Sequence, residues 1–472
     1  MSAPSVRSYV TLSALLAVGG CAYFKPVPLP PAGPAFVAPS GWSTPLAAAG
    51  ASAAPAALAQ WWLRFGDPLL AQLVQRALAS NNSIAGASAA LQQARAVRDR
   101  AAASLSTTVV GTAQAQRSKL DSTAASNSYA VGFDASWEPD VFGANRHALA
   151  ASDATLQASA VTLADTRISI AAEVARTYIE LRAVQLRLEL ARANLASQQG
   201  TQQITSWRVQ AGLLTALEEQ QAITAAEQAA AQVPLLDASA AQLRHALAVL
   251  CGVAPAALDA ELSVPSPIPS ADPALAISLP AATLRQRADV RVAEYQFDAA
   301  RARVAQADAA RFPVFRLEGS LGLSGIGVGG SGGTLLRALL GSVTGTALDG
   351  GALRAQIAQQ QGALVQAQAV YRASLLAALQ DVEDALSALR QDQLRLAHLR
   401  RAAAAADSAA LLARQRYASG LVDYQTVLET QRAWYASQDS QAVTSAALST
   451  DLVRLYKALG GGWQPDATST GG

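Results

Sequence analysis

Methionine is absent after Met1, cysteine occurs only as Cys21 and Cys251, histidine occurs three times, and aromatics make up 5% of the 472 residues. Each scarcity removes a class of function. Without methionine there is no thioether ladder for a soft metal such as cuprous ion. His147, His245 and His398 show no ligand spacing, so neither a zinc site nor a hydrolase triad finds support. Two cysteines cannot build a disulfide framework, and Cys251, in "ALAVLCG", reads as a small core residue. Charged residues are only 15% of the chain and the net charge is +2, with Arg and Glu interspersed. No basic stripe for nucleic acid is present. The abundant residue is alanine, so the 51% hydrophobic content does not by itself mean a large globular core.

The one early apolar run, about Tyr9 to Val18 after Arg7, is too short to span a bilayer as a helix and reads as an export signal, residues 1–20. Val18, Gly19 and Gly20 before Cys21 resemble a bacterial lipobox, in which the cysteine is acylated and becomes the first mature residue. Ala22 after it, by the same resemblance, favours the outer membrane. Residues 21–59 follow as an acylated cysteine and a tether with Pro26, Pro28, Pro30 and Pro31 close together. Residues 465–472 read as a disordered tail.

The body is written twice at a spacing of 208 residues: Gly143 and Arg146 fall on Gly351 and Arg354, Val174 and Leu181 on Val382 and Leu389, Arg208 and Gly212 on Arg416 and Gly420, and Gly252 on Gly460. Ala94 and Arg95 match Ala300 and Arg301 at 206. The two copies are placed at 60–260 and 268–464, with 261–267 as linker. Each holds a long helical stretch free of Gly and Pro, 56 residues after Gly143 and 57 after Gly362. Such a stretch reaches roughly 85 Å at 1.5 Å per residue, but its frequent Arg, Gln, Asp and Glu exclude a membrane span. Leu375, Leu379, Val382, Leu386, Leu389, Gln393 and Leu396 alternate spacings of four and three, a left-handed coiled-coil seam. Each copy turns at a glycine, in "RVQAGLLT" and "RYASGLVD", and returns as an antiparallel hairpin, the first return broken or kinked at Pro234.

Four segments read as strands rather than helices, near 107–116, 128–137, 315–324 and, with a weaker pattern, 342–348. In "SYAVGFDASW", Tyr129, Val131, Phe133, Ala135 and Trp137 share one parity while Asp134 and small residues share the other. Ten residues with a period of two suit a strand crossing an outer membrane, or a half-buried sheet in a soluble domain. Four strands cannot close a barrel, so membranous strands require several copies of the chain to share one. The polar parity, with Asp134, Arg316 and Glu318, then faces a water-filled lumen. Gly325, Gly327 and Gly330 form a dinucleotide fingerprint on paper, with Asp349 nineteen residues on, but no parallel βαβ unit surrounds it.

From "WWLRFGDPLLAQLVQRAL" at Trp61 to "LYKALGGGW" ending at Trp463, with "SWEPDVFG", "AAEVARTYIELRA", "LLAALQDVEDALSAL" and "RQRYASGLVDYQTVLETQR" between, the chain resembles the TolC-like outer-membrane efflux factors of the NodT/OprM-type lipoprotein branch. The resemblance implies a mainly helical, tandem-duplicated protomer with four barrel strands and long coiled-coil hairpins, three copies forming a joint α-barrel and β-barrel tube in the outer membrane. It implies an exit duct rather than an enzyme, with no cofactor beyond covalent lipid on Cys21. The implied partners are two further copies, a periplasmic adaptor and an inner-membrane pump, with no nucleic acid. It places adaptor contacts at Arg208, Gly212, Leu213, Arg416, Gly420 and Leu421, and a periplasmic gate at Glu429, Glu218, Tyr417 and Gln425. Where many relatives carry Pro, an apolar residue, Phe, Asp, Gly, Gly, this chain has "TALDGG", so the end of the fourth strand departs from the pattern. A type I secretion duct and a non-channel coiled-coil lipoprotein are the competing readings.

Overall fold

The computed structural model describes residues 39–43, 59–119, 121, 125–271, 284, 286–326 and 333–461. The signal segment, Cys21, most of the tether and the 465–472 tail lie outside the described residues. After a 3-10 turn at Trp61–Phe65 come α1 (Pro68–Ser80), α2 (Asn82–Ala103), β1 (Thr108–Ser118), β2 (Ser126–Trp137), α3 (Ala144–Gln210) and α4 (Ala216–Leu250). A single turn, Asp259–Leu262, precedes α5 (Ala288–Ala309), β3 (Val314–Ile326), β4 (Thr334–Thr344), α6 (Ala352–Ala418) and α7 (Tyr424–Ala458).

The duplication is visible in the element lengths. α2 and α5 have 22 residues each, α3 and α6 have 67 each, and α4 and α7 have 35 each. The change of spacing from 206 to 208 falls between the start of β3 and the start of α6, where the second copy is two residues longer. Each long helix continues through one interior glycine, Gly200 and Gly362, and reaches its tip unbroken. α4 also runs as one element through Pro234 rather than breaking there. One interior proline removes a single backbone bond, a loss that packing of the same helix through Ala222, Ala226, Leu236, Ala240 and Leu247 offsets.

The chain forms two compact units. One comprises 92–158 and 293–372 among the described residues and contains all four strands, the ends of α3 and α6 nearest them, and most of α2 and α5. Its sheet is antiparallel throughout, in the order β1-β2-β3-β4, leaving β1 and β4 as edges with no strand beside them among the described residues. Phe142 stacks on Phe312 at 4.6 Å, and Phe297 on Tyr371 at 6.4 Å. Arg98 pairs with Asp153 at 2.8 Å.

The fourth strand is a correction. It lies at Thr334–Thr344, not 342–348. Leu335 and Leu336, then Leu339 and Leu340, put apolar groups on both parities, so the two-residue alternation that marks the other strands is missing here. Asp349, the supposed nucleotide acid, accepts from Gly351 N–H at 2.9 Å and Leu353 N–H at 2.7 Å and so starts α6; those two bonds hold its carboxyl below the usual range. Gly327 and Gly330 lie outside the described residues.

The other unit comprises 39–43, 59–91, 159–292 and 373–461 among the described residues and contains the main core. Trp61, fully buried, stacks on Tyr456 at 5.5 Å, amid Leu70, Leu73, Val174, Leu181, Leu247, Leu386 and Leu455. Leu375, Val382, Leu386, Leu389 and Leu396 of the seam are buried and Leu379 and Gln393 half-buried, as the heptad spacing requires. Cys251 is buried, its Sγ against Leu73 O.

Both copies dock the end of the return helix in the same way. Asn81 donates from Nδ2 to Leu250 O at 2.8 Å, and Arg287, its repeat equivalent, donates from Nη1 to Ala458 O at 3.2 Å. Beside these contacts Gly252 and Gly460 have φ of 70° and 76°. A Cβ on Gly252 would stand 2.3 Å from Ser80 O, and one on Gly460 3.1 Å from Gln286 O. The left-handed backbone favours glycine at both positions, and at Gly252 the lack of space demands it as well.

Candidate functional site

The hairpin tips lie in the second unit and are built alike. α3 ends with Gly212 at φ 72°, where Leu213 N–H donates back to Arg208 O at 2.8 Å; α6 ends with Gly420 at φ 75°, where Leu421 N–H donates to Arg416 O at 2.9 Å. This is a Schellman closure, which needs a left-handed residue and places an apolar one after it. At both tips that residue faces solvent: Leu213 is 72% exposed and Leu421 74%. The first tip adds Leu217 at 65% and, one turn earlier, Trp207 at 60%. Neither was singled out in the sequence, although an indole on a polar helix face is a visible signal.

The two tips are joined to each other. The Arg208 guanidinium donates to Tyr417 O and, at 3.2 Å, to Ala418 O, and lies 4.3 Å from the centre of the Tyr417 ring. The Tyr417 hydroxyl is 2.9 Å from that of Thr205, a fully buried residue of α3. Tyr417 then meets Tyr424 edge to face at 6.3 Å, within a small apolar cluster of Ala222, Ala225, Ala413, Val427 and Leu428. Burial pushes the Tyr424 hydroxyl pKa up. Two turns farther, buried Gln431 of α7 donates from Nε2 to Ser197 and Thr201, both at 3.0 Å. Thr201, Thr205 and Gln431 thus form a buried polar line between α3 and the second hairpin, and Thr201 and Thr205, four residues apart, are its only advance sign.

Of the four residues of the expected gate, Gln425 and Glu429 are together: Gln425 Nε2 donates to Glu429 Oε1 at 3.0 Å on an exposed face of α7. Tyr417 is buried under Arg208. Glu218 is engaged elsewhere, as the third helical residue and closing partner of a capping box in which its carboxylate accepts from Thr215 N–H at 3.0 Å and from the Thr215 hydroxyl. Those bonds hold its carboxyl below the usual range. Asp423 starts α7 similarly, accepting from Thr426 N–H at 2.9 Å and its hydroxyl at 2.6 Å. Arg416 is exposed, unlike its repeat equivalent Arg208.

In the first unit, cross-strand register sorts the side chains by face, because directly opposed residues project the same way. Phe133 faces Gly111 and Leu321, Leu321 faces Arg337, and Val131 faces Leu323. One face therefore carries Val109, Tyr129, Val131, Phe133, Trp137, Phe315, Leu317, Leu321, Leu323, Leu335, Leu339 and Val343. Of these Val109, Val131, Phe133, Leu339 and Val343 are 60% exposed or more. The opposite face carries Thr112, Asp134, Arg316 and Glu318 beside Val110, Leu336 and Leu340; Thr112 Oγ1 lies 3.4 Å from Asp134, and Arg316 pairs with Glu138 at 3.7 Å and Glu318 at 4.0 Å. No described helix is long and apolar enough to cross a membrane.

The family model for outer membrane efflux proteins matches this chain twice, over 73–253 and 279–461. The pyoverdine export outer membrane protein OpmQ of Pseudomonas aeruginosa is 32% identical, the alignment covering 98% of each chain. Nodulation protein T of Rhizobium leguminosarum bv. viciae is 30% identical over 87% of this chain and 86% of its own. The solved outer-membrane channel OprN superposes with a TM-score of 0.81 at 32% identity, covering 92% of this chain and 99% of its own. With paired long-helix hairpins, four strands sharing one apolar face, and a family match to both copies, this chain belongs to the outer membrane efflux protein family and is a protein of the outer membrane.

Proposed function

We propose that the protein is the exit duct of a tripartite efflux system, carrying small molecules to the exterior from an inner-membrane resistance-nodulation-division pump through a periplasmic adaptor. The observation that carries this reading is the four-stranded sheet, exposed and predominantly apolar on one face, with Asp134, Arg316 and Glu318 on the other, and open at both edges. In lipid an unpaired edge must be closed, and four strands are too few to close on themselves. Three copies give twelve strands and a polar lumen. The names of relatives support a small-molecule cargo: OpmQ is named for pyoverdine export and TtgF for toluene efflux. Conduction requires no catalysis and no cofactor, and Cys21 carries the covalent lipid.

At the tips, the exposed Leu213 and Leu421, with Arg416 beside the second, offer the adaptor apolar knobs at a helix turn, and Trp207 enlarges the first. The Arg208–Tyr417–Thr205 contacts hold the two hairpins together and keep the periplasmic entrance narrow. Glu429, positioned by Gln425, contributes one carboxylate per copy to a ring that favours cations. Glu218, occupied by its cap, has a lesser part in that ring. The test is assembly and conduction: the purified full chain should run as a heat-resistant trimer in mild detergent and form channels in planar bilayers. A monomer without conductance overturns the proposal.

A further inference from the structure

The apolar sheet face has no carboxylate on any of its four strands, since Asp134 and Glu318 both project from the other side, yet it carries two arginines. Arg337 sits among Leu335 and Leu339 on its own strand, opposite Leu321, with Phe133 one strand farther. Arg117, the penultimate residue of β1, shares that face. Neither arginine has an ion-pair partner among the described residues, whereas Arg316, on the polar face, has two.

Both arginines lie toward the same end of the sheet. Ser118 opposes Ser126 at the β1–β2 turn, and Ser324 opposes Thr334 at the β3–β4 turn, so the hairpin ends coincide. The helix-bearing end carries Trp137 and Phe315 instead. Arg337 is three residues in from Thr334, roughly 10 Å along a strand at about 3.3 Å per residue. A second copy completing the barrel beside β4 would bring β1, whose residues on this face are Val109, Gly111, Ala113, Ala115 and Arg117. None of these is a carboxylate; the next acid along that chain, Asp121, lies three residues past the end of the strand, in the turn.

A cation on a lipid face is tolerated when its stem lies along the apolar surface and its head reaches the interface. The duct reading, on which this inference rests, turns the hairpin ends outward, because the helices receive cargo from the periplasm. We propose that Arg337, with Arg117 nearer the turn, binds the phosphate of an acylated, phosphorylated lipid of the outer leaflet. The guanidinium fork matches two phosphate oxygens, and the leucine and phenylalanine surface around it takes the acyl chains.

The test titrates the full-length protein in detergent with bisphosphorylated lipid A, its dephosphorylated form, or inorganic phosphate, reading thermal stability and lipid retained in native mass spectra. The phosphorylated lipid should raise the melting temperature and remain bound, and the other two should not. R337Q should weaken retention about tenfold, and R337K should recover part of it. Equal responses to the two lipids, an equal response to inorganic phosphate, or undiminished retention by R337Q overturns the inference. Should R337Q fail to assemble, the parent protein's response to the three ligands decides alone. Planar-bilayer conductance of the parent reports separately on the duct: a conducting protein without phosphate preference overturns this inference only.

Discussion

Cutting the tie between the two hairpin tips should open the channel. The contacts to remove are the Arg208 guanidinium on Tyr417 O, Ala418 O and the Tyr417 ring, and the Tyr417 hydroxyl on Thr205. Arg208 is half-buried, so its charge-assisted bonds are worth about 1.5 kcal/mol, at the low end of their range. The ring contact adds about 0.5–1 kcal/mol. The buried hydroxyl pair adds about 1 kcal/mol, and Thr205 keeps its own bond to Thr201 O at 2.9 Å when the partner is lost. Arg208→Ala should therefore favour parted tips by about 2 kcal/mol, roughly 30-fold at 1.4 kcal/mol per decade, and Tyr417→Phe by about fivefold. Phenylalanine still presents a ring to Arg208, so the double variant should show nearly additive effects. Single-channel recording in planar bilayers measures both, as open probability and conductance, on protein first shown to be a heat-resistant trimer. If assembled Arg208→Ala conducts as the parent does, the tip contacts are structural and the gating account fails.

Glu429→Ala should leak more ions than the parent and shift the reversal potential in a salt gradient away from cation preference; unchanged current and selectivity would remove that residue from the gate. Gly252→Ala should cost about 2–3 kcal/mol of stability, because it adds a contact of 2.3 Å to a left-handed backbone, whereas Gly420→Ala, with open space around it, should cost about 1 kcal/mol. Chemical denaturation ranks the two, and equal losses would contradict the packing at Ser80. Asp451 of α7 is 3% exposed and accepts from Arg454 at 3.3 Å, but burial and the neighbouring Asp392 push its pKa up to about 6. A raised acid stabilises the fold fully below its ordinary value near 3.8 and loses that contribution as pH rises through about 6. Asp451→Asn should flatten the melting temperature between pH 4 and pH 7 and gain roughly 2 kcal/mol above it; a variant as pH-dependent as the parent would count against that burial.

Local rules accounted for much of the fold. Heptad spacing from Leu375 to Leu396 marked a seam that is buried or half-buried along its whole length, and Gly212 and Gly420 marked both tips. The 208-residue spacing marked two copies whose long helices prove equal in length. All of this depends on residues within one or two turns of each other, or on direct comparison of the copies. β4 escaped because its alternation is cancelled by leucines on both faces, and only pairing with β3 holds it extended. Arg208 and Tyr417 were both marked as functional but assigned to different tasks. Their contact joins positions 209 residues apart, and such a pairing is selected by how four helices pack, not by either segment alone. The same holds for Arg337, whose neighbours Leu321 and Phe133 come from other strands and whose face is decided by their register. Periodicity and turn chemistry were thus written in the chain itself, whereas partnership over long separations arose only when the hairpins and the sheet assembled.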